Sequence, residues 1–179
     1  MRGAGGVSGG GGVSGLRGVG APASTRARVL PSWFVPTALG LSVIGTLLAA
    51  YLTFEHFTQN ATLACSTTAT INCQKVTESQ WSSFLGIPVA LLGLGFFLSM
   101  VVLCSPRLMR APGRRWDALR LAWCGIGLVF ALYLVFAELY HIHAICLWCT
   151  GVHVVTLLLL ITLVFGTLLI EPAEPEVSG

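Results

Sequence analysis

The chain has 179 residues, 55% of them hydrophobic and only 9% charged, with a mean hydropathy of +0.83, whereas a soluble domain carries about 25% charged residues. This balance excludes an ordinary soluble enzyme, and it leaves no room for an attached catalytic domain, which takes roughly 50 residues or more. The net charge of +3 does not describe a nucleic-acid surface, because every basic residue except Lys75 is an arginine confined to the segment Arg2 to Arg28 or the segment Arg107 to Arg120.

Residues 1–30 read as a disordered cytoplasmic extension, rich in Gly and Ser and too poor in large apolar side chains to offset the entropy of ordering. Four apolar runs follow, at 34–54, 84–104, 121–137 and 144–170. Each meets or nearly meets the ~20 residues that cross a bilayer as a helix. The third run is short, and it is extended here by Arg120 snorkelling at one end and Glu138 sitting at the opposite headgroup boundary. The expected fold is therefore all-α: a polytopic four-transmembrane-helix bundle over residues 31–171, with a short external helix in the first loop and a cytoplasmic tail at 172–179.

Orientation follows from the arginines, since short loops rich in Arg and Lys stay cytoplasmic. Arg26 and Arg28 precede the first run, and Arg107, Arg110, Arg114 and Arg115 fill the second link, while the first link carries only Lys75. Both termini are expected in the cytoplasm. The first run exceeds the length of a signal-peptide core and lacks a clear small-x-small cleavage site, so it is read as retained. Thr62-Leu63-Ala64-Cys65 faintly resembles a lipoprotein cleavage site, but polar residues 55–60 separate it from the apolar run.

On this topology Cys65, Cys73, Cys146 and Cys149 face the oxidising side, where disulfides persist and exchange. Cys104 and Cys124 fall at a helix end and inside a span, and read as small apolar fillers. Cys146-Leu147-Trp148-Cys149 opens a helix, where the dipole and free N–H groups favour a thiolate on the first cysteine and the second lies one turn away. Redox chemistry is the first reading; a zinc site, completed by the other thiols or by His141 and His143, and an inert structural pair remain open. Cys65 and Cys73 bracket a polar loop that can close as a staple. With a second dithiol on the same side, a relay by thiol–disulfide exchange becomes the better reading, and a membrane quinone is a suitable terminal acceptor beside an apolar helix pocket. His141 and His143 read as interfacial residues at a wet turn.

The spacing of Cys65 and Cys73, then Ser79 and Trp81, then Phe84-Leu85-Gly86-Ile87-Pro88, and finally Cys146-Leu147-Trp148-Cys149 resembles the vitamin K epoxide reductase family in its bacterial single-domain form. The order of the pairs is the reverse of that in DsbB-type oxidases. The resemblance implies that Cys65 exchanges with a separate thioredoxin-fold, DsbA-like partner. Cys73 would then pass electrons to Cys146, and Cys149 would face a quinone, menaquinone or ubiquinone. It also implies that Ser79 and Trp81 lie on a short helix over the site. His153 stands where vertebrate members carry a tyrosine beside the quinone, and it shares a helix face with Cys149. The expected function is a quinone-dependent thiol oxidoreductase of the bacterial cytoplasmic membrane that supports disulfide formation. The alternatives are a reductase of a vitamin K epoxide and, from a different class, a non-enzymatic zinc-binding or scaffold protein.

Overall fold

The computed structural model describes residues 30–58, 71–111 and 114–169. The predicted extension 1–30, apart from its last residue, and the predicted tail 172–179 lie outside the described residues, as do Thr62 and Cys65. The first long helix, α1 (Phe34–Thr58), outlasts its apolar run by one turn. Its Ser42, Thr46 and Thr53 hydroxyls donate to carbonyls one turn back at 2.7, 2.8 and 2.7 Å. A helix in an apolar setting can thus carry hydroxyls without orphaning them.

After the first link come the short α2 (Cys73–Thr77), a 3₁₀ turn at Gln80–Ser82, and a hairpin of β1 (Ser83–Phe84) and β2 (Ile87–Pro88). The next apolar helix, α3, runs Val89–Leu103 and not from residue 84. The difference is local: Leu85 and Gly86 take φ of +52° and +81°, the paired left-handed conformation of a two-residue hairpin loop. Pro88 then forms the helix cap. With 15 residues, α3 is shorter than the other three long helices.

A brief α4 (Pro106–Met109) precedes α5 (Arg114–Ala137), which starts two turns before its apolar run. Arg120 does not snorkel: it is 1% exposed. Its Nε donates to the Leu103 carbonyl at 2.8 Å and its Nη2 to the Leu108 carbonyl at 2.6 Å, while Nη1 pairs with Asp117 at 2.8 Å. Carbonyls near the ends of α3 and α4 thus capture the guanidinium, whose planar fork suits several acceptors at once. At its other end α5 widens into a π-helical turn, Glu138–Ile142, and a left-handed His143 (φ +52°) ends it. The last helix, α6 (Leu147–Leu168), starts later than its apolar run because Cys146 is extended and serves as its cap.

The four long helices close a ring in which α1 packs on α3 and α6, and α5 packs on α6 and α3. Close approach depends on glycine. A Cβ on Gly45 would run into the Phe97 ring, one on Gly127 into Phe96, and one on Gly166 into Phe34. The outer faces remain apolar; Leu47, Val129 and Leu168 are 65%, 69% and 74% exposed. Three helices, α1, α5 with its π turn, and α6, are long and apolar enough to cross a membrane, and α3 is a shorter apolar helix beside them.

This packing predicts that Gly45→Ala lowers stability by about 1–3 kcal/mol through overpacking against Phe97. Gly40→Ala on the same helix, where nothing lies within 4 Å, should be neutral or stabilising by up to about 1 kcal/mol. Thermal unfolding midpoints of the detergent-solubilised chain check both.

Candidate active site

The site lies where the start of α6, the π turn and the α2 segment meet. Cys146 precedes the first turn of α6 with φ −93° and ψ +115°, so its sulfur points back over the helix and accepts the Cys149 N–H at 3.3 Å. This is an N-cap contact made by sulfur in place of the usual oxygen. The Cys149 thiol donates to the same sulfur and is the main reason the Cys146 thiol lies below its ordinary value. The N–H groups of Cys149 and Trp148 add to this, and burial and the Glu138 carboxyl oppose it. Cys146 is therefore the better nucleophile and leaving group of the pair.

One backbone contact brings the first cysteine segment to this point. Ile71 and Ile145 form an isolated parallel bridge, and the Asn72 N–H donates to the Ile145 carbonyl at 3.1 Å. The Asn72 side chain then accepts the Lys75 N–H at 3.0 Å, so that α2 begins at Cys73 with its first turn capped. Cys73 and Cys146, each 0% exposed, consequently share one buried cluster with Val76, Ile142 and Ala144, against which Trp81, Trp148 and Cys149 pack. Cys73 is disulfide-bonded, whereas Cys146 and Cys149 carry free thiols. Cys65 lies outside the described residues.

Cys149 opens onto a cavity of about 660 Å³ between the helices, within the range of sites that hold a small organic ligand. Its wall is mainly apolar and aromatic, including Phe84, Phe96, Trp123 and Phe130. A few polar groups interrupt it, among them Ser79, Glu138 and His153. The Ser79 hydroxyl donates to the Val76 carbonyl at 2.8 Å and so joins α2 to the 3₁₀ turn. Trp81 stacks on His141 with ring centroids 4.6 Å apart and an interplanar angle of 24°, and meets Tyr133 edge-on at 6.2 Å. The short-helix segment expected over the site is thus two pieces, α2 and the 3₁₀ turn, held down by ring contacts. His153, one turn after Cys149, has a buried Nδ1 with no hydrogen-bond partner. His141 and His143 are exposed.

Cys73, Ser79, Trp81, Cys146, Cys149 and His153 therefore gather around the buried cluster and the cavity beside it. Cys104 and Cys124 are buried in a separate cluster with Phe34 and Met100. Among the described residues no group of three or more His, Cys, Asp or Glu side chains gathers to hold a metal. The feature that sequence reasoning misses is Glu138. It is 5% exposed, lines the cavity and faces the Cys146 N–H, from which its carboxyl takes a hydrogen bond. A glutamate on an otherwise uncharged stretch, eight residues before a Cys-x-x-Cys, is the signal that was available.

The model of the vitamin K epoxide reductase family matches residues 36–164, a stretch that contains every cysteine of this site and most of each helix around it. The chain belongs to that family. Members of the vitamin K epoxide reductase family are membrane oxidoreductases that act on thiols and on quinone or vitamin K. The apolar outer surface of the helices agrees with a membrane location.

The contacts at Cys146 set a pH dependence. A lowered thiol value keeps Cys146 as thiolate below the ordinary range, and the thiolate is lost as pH falls through that lowered value. Cys149→Ala removes the leading donor. The Cys146 thiolate, followed by its ultraviolet absorbance against a Cys146→Ser blank, should then appear at higher pH than in the wild type. An unchanged midpoint would assign the effect to the helix N-terminus alone.

Proposed function

We propose that the protein is a quinone-dependent thiol oxidoreductase that supports disulfide formation. It would cross the bacterial cytoplasmic membrane four times, with both termini cytoplasmic and the redox cysteines on the opposite side. The arginine distribution favours this orientation. α3, shorter than the ~30 Å hydrocarbon layer at about 1.5 Å per residue, completes its crossing with the hairpin and α4 at its ends.

In this reading a reduced thioredoxin-fold, DsbA-like partner attacks Cys65 of a Cys65–Cys73 disulfide, and the partner's second thiol resolves the mixed disulfide. The partner leaves oxidised, and Cys65 and Cys73 hold the two electrons. Cys73 thiolate then attacks Cys146 of the oxidised Cys146–Cys149 pair and releases Cys149. Cys65 resolves that bond, which restores the Cys65–Cys73 disulfide and leaves Cys146 and Cys149 reduced. A quinone in the cavity, menaquinone or ubiquinone, takes two electrons and two protons, and the Cys146–Cys149 bond re-forms.

The observation that carries the reading is the shared burial of Cys73 and Cys146 beside a cavity that Cys149 lines. Ser79 and Trp81 cover that cavity from the first link, and His153 offers a ring nitrogen to a quinone oxygen. A vitamin K epoxide would enter the same cavity as an alternative acceptor, and a product assay with quinone and epoxide tells the two apart.

Cys146→Ala and Cys149→Ala are each expected to abolish quinone-dependent oxidation of a reduced DsbA-like protein by the purified chain in lipid nanodiscs; unchanged turnover in either would end the proposal. His153→Phe should raise the quinone KM by up to roughly tenfold, the worth of one hydrogen bond, and leave the KM for the partner unchanged.

A further inference from the structure

The disulfide relay moves electrons, but the last step must also move protons, and the thiol-bearing residues alone leave that open. With Cys146 as thiolate, the reduced pair is Cys146–S⁻ with Cys149–SH. Forming the disulfide and the hydroquinone then requires the Cys149 proton to leave sulfur and two protons to reach the quinone oxygens. Cys149 supplies one of these, and the other is taken up from solution, replacing the proton that Cys146 gave up there earlier.

Glu138 is built into the wall where that transfer occurs. It is the first residue of the π turn, a device that recurs at functional sites because the added residue re-aims the helix. The turn closes by a hydrogen bond from the Ala144 N–H to the Glu138 carbonyl at 3.3 Å. Its carboxyl accepts the Cys146 N–H, stands close enough to act electrostatically on both sulfurs, and lines the cavity together with Cys149. Among the described residues no Lys or Arg lines that cavity, so none of them holds the carboxyl permanently ionised. One N–H leaves acceptor positions on a carboxylate unfilled. The other titratable groups on the wall are His56 from α1 and Cys149 and His153 from α6, while the α2 segment and the 3₁₀ turn present Thr77 and Ser79. His141, on the π turn itself, is occupied by its stack on Trp81.

We propose that Glu138 carries the proton of the dithiol-to-quinone step, taking it from Cys149 as the Cys146–Cys149 bond forms and returning it to a quinone oxygen. The proposal rests on the oxidase reading above. Glu138→Gln is a close test because the amide keeps an acceptor for the Cys146 N–H and loses only the exchangeable proton.

The measurement separates two half-reactions of the full chain in nanodiscs. In single turnover, a short-chain ubiquinone should oxidise the reduced pair about 10²-fold more slowly in Glu138→Gln near pH 7, the lower end of general acid–base effects. The deficit should shrink as pH rises and Cys149 ionises unaided. Reduction of the oxidised pair by dithiothreitol should stay within about twofold of wild type. Glu138→Asp, which keeps a carboxyl, should retain the wild-type shape of the pH profile. Equal quinone rates in Glu138→Gln and wild type would overturn the proposal. So would a loss shared by both half-reactions and indifferent to pH, which would make Glu138 a support for Cys146. A wild-type chain that exchanges with dithiothreitol but never reduces quinone would instead sink the oxidase reading, and this proposal with it.

Discussion

The parallel backbone bridge between Ile71 and Ile145 is the contact on which the rest of the site depends. The two segments it joins are far apart in sequence and belong to different links of the bundle. Without the bridge, the α2 segment would be a short polar helix with no fixed position, since a few helical residues do not hold their own fold in water. With it, Asn72 is placed to cap α2, Cys73 is carried into the buried cluster, and Val76 and Trp81 close over Cys146. Backbone hydrogen bonds suit this task. They fix direction and register without adding a charged or reactive side chain beside two thiols.

The two ends of the bundle are built differently. At one, Arg120 ties the ends of α3 and α4 to α5 through two carbonyls and Asp117, a satisfied arrangement whose breakage would leave a charge stranded in an apolar interior. At the other, regular helix gives way to a π turn, a left-handed residue and an extended cap before α6 begins. The turn borders the cavity through Glu138 and Ile142, while Leu139, Tyr140, His141 and His143 lie on the exposed side. The irregularity places a carboxyl and a dithiol on one cavity wall, while glycine–phenylalanine contacts at Gly45, Gly127 and Gly166 keep the helices beneath them in register.

Much of this was legible in the residues. Apolar run length marked the long helices, and the Cys-x-x-Cys spacing at the head of the last run marked a helix N-terminus with a favoured thiolate, because both signals come from local backbone physics. The start of α3 was not legible from hydropathy: Phe84 and Leu85 are as apolar as the helix that follows, and only the positive φ of Leu85 and Gly86 and the position of Pro88 set the boundary. The inward turn of Arg120 and the burial of Glu138 were missed for a related reason. Each depends on an acceptor or donor that another segment supplies, and hydropathy patterns carry no information about partners. Cys73 lay between, since its spacing suggested a pair but its place against Cys146 required the Ile71–Ile145 bridge.

The central claim is that the Cys73 segment and the Cys146–Cys149 pair form one electron path. Thiol trapping followed by mass spectrometry of membranes carrying Cys149→Ala tests it most directly, because Cys146 then lacks its resolving partner. The account predicts an accumulating Cys73–Cys146 disulfide. Peptides that show Cys73 linked only to Cys65, with Cys146 always free, would contradict it and leave a structural staple beside an unconnected dithiol.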